Sequence, residues 1–133
     1  MKLRAVHHVA IIVSDYDKSR DFYVNKLGFE IIRENHRPHK QDYKLDLKCG
    51  DIELEIFGNK LTATDYQAPP KRLAYPEAAG LRHLAFAVDD VEAYKKELEA
   101  MGIFVEPVRY DDYTHKKLTF FFDPDGLPLE LHE

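Results

Sequence analysis

Two histidines and two glutamates are the residues whose types and spacing point to chemistry. His8 and His83 stand 75 residues apart, and so do Glu55 and Glu130. Each histidine sits just before an apolar run, in "VHHVAIIVSD" (6–15) and "LRHLAFAVDD" (81–90). Each glutamate lies inside an apolar stretch, "LEIF" (54–57) and "LELH" (129–132). The same offset carries His7 to Arg82 and Glu53 to Pro128, so the repeat selects His8 and Glu55 over their neighbours. One imidazole and one carboxylate from each copy make a set of two nitrogen and two oxygen donors. Such a set suits one divalent cation of borderline softness, with Ni²⁺ or Zn²⁺ first and Co²⁺, Fe²⁺ or Mn²⁺ next. Carboxylates on an enclosed sheet face without such compensation would be expensive to bury. The repeat gives no support to His36, His39, His115 and His132, which are read as surface or pocket residues. Cys49, beside a turn glycine, is read as structural.

The elements that must position these four residues repeat as well. In the first copy Val6, His8, Ala10 and Ile12 alternate with His7, Val9, Ile11 and Val13, the period of a strand. "SDYDKSRDFYVNKLG" follows, with Ser14 or Asp15 to cap a helix and Gly28 just past its end; Ser19, Phe22, Tyr23 and Leu27 form its stripe. The second copy has a strand over 82–88 and a helix capped by Asp89 or Asp90. That helix buries Val91, Tyr94, Leu98 and Met101 and ends at Gly102. β-like stretches come after each helix: "FEIIRE" and "YKLDLKCGDIELEIF" in the first half, "IFVEPV" and "KLTFFFDPDGLPLELHE" in the second. "DPDG" is a strong turn signal, because Pro presets φ and Gly accepts the positive φ that a bulged hairpin requires. Each half therefore reads strand, helix, strand, strand, strand. This predicts an α+β protein of two tandem βαβββ modules, 1–58 and 80–133, joined by a linker or flap at 59–79 and forming a metal-binding β cup.

Composition narrows the class. A chain of 133 residues holds one domain's worth of material. The formal net charge of −5 and the shortness of the basic clusters argue against nucleic acid and anionic membranes as partners. A single cysteine excludes an internal disulfide and fits a reducing compartment. No apolar run approaches the roughly 20 residues of a membrane span, and no signal peptide is read. The expectation is a cytoplasmic protein.

"HHVAIIVSDYDKSRDFYVNKLGFEI", "DIELEIF", "GLRHLAFAVDDVEA" and "FFFDPDGLPLELHE" resemble the vicinal oxygen chelate superfamily, the glyoxalase, bleomycin-resistance and dioxygenase group. The resemblance covers essentially the whole chain. The set His8, Glu55, His83, Glu130 looks most like that of bacterial glyoxalase I. The resemblance implies a carbon–sulfur lyase of the lactoylglutathione lyase kind, with one divalent metal per site held by those four residues. Its substrate would be the hemithioacetal of an α-oxoaldehyde, as in methylglyoxal detoxification. A proton would move from C1 to C2 through an enediolate, with Glu130 as base and Glu55 as its counterpart. It also implies a homodimer. Arg33, Arg37, Lys44, Lys116 and Lys117 are candidate anion grips, and Asn35, Tyr43 and Tyr113 are candidate pocket residues. Other activities on the same scaffold remain open: thiol transfer, epimerisation, ring-cleaving dioxygenation, or non-catalytic binding of a drug-like molecule. The segments 33–46 and 57–80 show no recognisable glutathione-binding pattern.

Overall fold

The structure is a computed structural model, and it describes residues 1–60, 66–67 and 69–133. The chain divides into two compact units, Met1–Gln67 and Ala68–Glu133. The first contains β1 (His8–Ile12), α1 (Tyr16–Arg20), β2 (Glu30–Arg37), β3 (Asp42–Cys49) and β4 (Ile52–Gly58). The second contains β5 (Leu84–Ala87), α2 (Val91–Ala100), β6 (Arg109–Tyr110), β7 (Lys117–Phe122) and β8 (Pro128–His132). Each unit folds its strands into one four-stranded sheet, ordered β1-β4-β3-β2 and β5-β8-β7-β6. The module is therefore βαβββ twice over. No helix among the described residues is long and apolar enough to cross a membrane.

In each sheet the first strand lies parallel to the last, and the remaining pairs are antiparallel. A parallel pair needs a long crossover, which the helix and the two intervening strands supply. The registers match: Ala10 stands opposite Glu55, and Ala85 opposite Glu130. Strand alternation then sends Leu54 and Ile56, and Leu129 and Leu131, into the core, where all four are buried. Glu55 and Glu130 take the opposite face.

Asp15 caps α1, its carboxylate accepting from the Lys18 N–H at 3.0 Å, and Asp90 caps α2 through the Ala93 N–H at 3.0 Å. At the "DPDG" turn, Asp123 Oδ1 accepts from the N–H groups of Asp125 and Leu127, and Gly126 takes φ +80°. In unit 1 the core is built on Val13, Tyr16, Tyr23, Leu45, Leu47 and Ile56, all essentially inaccessible.

Four local expectations are corrected. The first helix is α-helical only to Arg20 and continues as a π-helix over Asp21–Lys26, in which the Leu27 N–H reaches back to the Phe22 carbonyl at 2.9 Å. The smaller rotation per residue of a π turn lets the adjacent Phe22 and Tyr23 both enter the core. Tyr94 and Met101 are exposed within their unit. The buried stripe of α2 is narrower, Val91 and Leu98, and Lys95 runs beside it, its ammonium donating to the Val105 carbonyl at 3.1 Å. "IFVEPV" forms no strand beyond a bridge from Val105 to Phe121; β6 begins only at Arg109, after Pro107, which has no N–H to offer a ladder. The strand expected over 82–88 is confined to Leu84–Ala87.

Candidate functional site

Unit 1 brings His8 and Glu55 together because their strands are hydrogen-bonded neighbours with both side chains on one face. His8 Nε2 lies 3.3 Å from Glu55 Oε2. The other carboxylate oxygen, Oε1, is 2.9 Å from the Lys44 ammonium. Lys44 comes from β3, where Asp46 faces Glu55 in register. Its ammonium lies 3.3 Å from Asp46 Oδ1, while Arg33 reaches Asp46 Oδ2 at 2.7 Å and Glu53 Oε2 at 2.8 Å. Lys44, hydrogen-bonded to it, holds the Glu55 carboxyl below the usual carboxylate range. Asp46, Glu53 and Glu55 each place a carboxylate oxygen within 4.8 Å of the others, an acidic group that could hold a divalent ion. Arg33 and Lys44 already supply two of the three positive charges this cluster needs.

Unit 2 brings His83 and Glu130 together in the same way. His83 Nε2 is 2.8 Å from Glu130 Oε2, and the His83 ring meets Phe120 edge-on at 5.1 Å. The neighbourhood differs from that of Glu55. Leu118 and Phe120 occupy the places on β7 that Lys44 and Asp46 occupy on β3. Glu130 Oε1 faces a second imidazole, His132 Nε2, at 3.9 Å. The Nδ1 of His83 is buried without a hydrogen-bond partner among the described residues. Around this pair lies a pocket of about 640 Å³, lined by Ala85, Leu118 and Phe120 below and by Arg109, Tyr113 and His132 among the polar groups.

The donor sets fit a divalent metal. Ligand bonds of about 2.0 to 2.2 Å place two neighbouring donors of one ion roughly 3 Å apart, and the two Nε2–Oε2 separations, 3.3 and 2.8 Å, match that spacing. Imidazole nitrogen with carboxylate oxygen is a donor class that Zn²⁺, Ni²⁺ and their neighbours accept.

Of the anion grips read from the sequence, four have ion-pair partners. Arg33 and Lys44 are paired as above, Arg37 pairs with Asp42 at 2.5 Å, and Lys117 with Glu92 at 3.4 Å. Tyr43 stacks on Tyr16 with ring centroids 4.6 Å apart. Tyr113 does line the unit 2 pocket. His132, expected at the surface or in a pocket, stands beside Glu130. Its place two residues further along the same strand was the available signal. Arg109 was missed, because the segment after Pro107 was not read as strand.

The sequence profile of the Glyoxalase/Bleomycin resistance protein/Dioxygenase superfamily matches residues 5–131. The uncharacterized protein YwkD of Bacillus subtilis (strain 168) is 51% identical over all of this chain and 99% of its own length. A crystal structure of SMU.1112c superposes with a TM-score of 0.90 at 77% identity, covering 99% of this chain and 100% of that one. Further off, relatives are named for different reactions. A probable lactoylglutathione lyase of Vibrio cholerae serotype O1 is 29% identical over 98% of this chain and 91% of its own length. Glutathione transferase FosA of Serratia marcescens is 30% identical over 98% of this chain and 81% of its own length.

Proposed function

The chain belongs to the Glyoxalase/Bleomycin resistance protein/Dioxygenase superfamily, and from that premise we propose that it is a metal-dependent lyase of the glyoxalase I type, acting on the hemithioacetal of an α-oxoaldehyde. In this reading His8, Glu55, His83 and Glu130 together hold one divalent metal. The observation that carries it is the repeated His–Glu pair, built in both units at the same strand register. The metal, when bound, supplies Lewis-acid stabilisation of negative charge on the substrate's neighbouring oxygens.

The chain's own residues divide the remaining work. Glu130 takes the proton from C1 and returns it at C2. It suits that role better than Glu55, because no ammonium or guanidinium pairs with it among the described residues. Glu55 is tied to Lys44 and serves as a fixed ligand. His83 sets its Nε2 beside Glu130 Oε2 as the second donor of the pair, and the T-shaped contact with Phe120 keeps the imidazole in place. The apolar floor of Leu118 and Phe120 limits water beside the transferring proton.

The similarity to a thiol transferase, as close as that to a lyase, favours addition of a thiol to another electrophile as the second reading. One experiment separates them: metal content of the purified chain, then turnover of methylglyoxal with glutathione, cysteine and coenzyme A. A stoichiometric metal with isomerised thioester product supports the lyase. A stoichiometric metal with no turnover by any thiol removes the lyase reading. Absence of metal binding removes both.

A further inference from the structure

The two half-sites differ in a way that bears on the substrate. Around Glu55 both cations are already committed to carboxylates, Arg33 to Asp46 and Glu53 and Lys44 to Glu55 and Asp46. Around Glu130 the corresponding floor is apolar. A cation nevertheless lines the unit 2 pocket. Arg109, on β6 opposite Leu118, sets its guanidinium over the Phe120 ring, 5.3 Å from the centroid. No carboxylate lies within ion-pair distance of it among the described residues. The pocket's other arginine, Arg82, is paired with Glu77 at 2.7 Å. The nearby Asp111 is occupied by the N–H groups of Tyr113 and Thr114, both at 2.8 Å.

A guanidinium held on an aromatic face keeps its N–H fork free and pre-oriented for a planar oxyanion. The same pocket is lined by Glu130, Asp111 and Asp112. Their combined charge disfavours a dianion such as a phosphate and leaves a single carboxylate as the matching group. We propose that Arg109 and Phe120 seat a carboxylate carried by the substrate, its carbon skeleton lying against Ala85 and Leu118 and its reacting end turned to the His83–Glu130 pair. The direction of the reacting end rests on the proposed lyase reading; the carboxylate seat does not.

The test uses the full chain, both Zn²⁺-loaded and EDTA-treated, titrated with benzoate, benzyl alcohol and phenylphosphonate and followed by amide and arginine Nε–H NMR shifts. Benzoate is expected to shift the Arg109 Nε–H and the Ala85 and Phe120 amides with or without Zn²⁺, and to bind at least tenfold tighter than benzyl alcohol. Arg109→Met should abolish that preference, and Arg109→Lys should retain part of it, since an ammonium keeps the charge and loses the fork. Equal binding of benzoate and benzyl alcohol, benzoate affinity unchanged in Arg109→Met, or dependence on Zn²⁺ alone would each overturn the seat. Tighter binding of phenylphosphonate would overturn its assignment to a carboxylate. Failure of the lyase reading would leave benzoate binding intact, and failure of the seat would leave metal stoichiometry intact.

Discussion

Glu55 and Glu130 occupy equivalent places and have different neighbours, and the neighbours decide what each carboxylate does. A carboxylate bonded to an ammonium is a poor proton acceptor, because accepting a proton would forfeit that bond. Glu55 is in that position; Glu130 meets imidazoles instead. Glu130→Gln is therefore expected to weaken metal binding and, at saturating metal, to lower kcat by about 10² to 10⁴-fold, the usual share of general-base catalysis. Steady-state kinetics at rising metal concentration checks this. Full recovery of kcat would make Glu130 a ligand only and move the base to Glu55. Offset alone gave the sequence reading its choice of Glu55 over Glu53, and it picked the carboxylate that faces His8. It gave no hint of Lys44, because a cross-strand ion pair depends on the register of β3 against β4.

At the scale of elements, the helical segment of unit 1 is fastened to its sheet edge by one polar junction. Arg20 grips Glu34 on β2 with two bonds, Nε to Oε1 at 2.9 Å and Nη2 to Oε2 at 3.0 Å, and the Tyr16 hydroxyl donates to Oε1 at 2.5 Å. Arg20 holds the Glu34 carboxyl below its ordinary range. A group whose folded pKa is depressed contributes stability above its unfolded pKa, and that contribution is lost as pH falls through the folded value. Glu34→Gln should cost roughly 1 to 2 kcal/mol at pH 7, discounted for partial exposure. The gap from the parent chain should close as pH falls below about 4. Urea titrations at pH 7 and pH 3 measure both ends, and an equal gap at the two pH values would refute the junction's ionic character. Helix caps and the "DPDG" turn were legible because they depend on a few adjacent residues. The exposure of Tyr94 and the delay of β6 past Pro107 depend on how an element seats on its sheet, which periodicity does not carry. Gly58 shows the same limit: a β-carbon there would meet Val13 Cγ2 at 2.6 Å, a close approach invisible in the sequence. Gly58→Ala should lower stability by about 1 to 3 kcal/mol, read as a shift in Tm.

At the scale of the whole molecule, duplication is the fact that the sequence announced most clearly, and two compact units with identical strand order bear it out. Assembly is the remaining prediction: light scattering at micromolar concentration should give twice the chain mass. Mixing a His8→Ala chain with a His83→Ala chain reads the origin of the ligands. Recovery of about a quarter of the metal sites, one of the two in each mixed dimer, marks pairs drawn from two chains, and no recovery marks pairs from one. The constant 75-residue offset itself has a simple basis in the sheets. It holds for β1 and β4 against β5 and β8, yet Phe120 stands where Asp46 does at one residue less. The β7–β8 hairpin, one residue longer, restores the count. Since His and Glu ride on two strands paired directly with each other, a change of hairpin length slides the chain in between without disturbing their mutual register. The β7–β8 hairpin is thus a place where a tag or a short graft can be spliced in while the donor pair keeps its spacing.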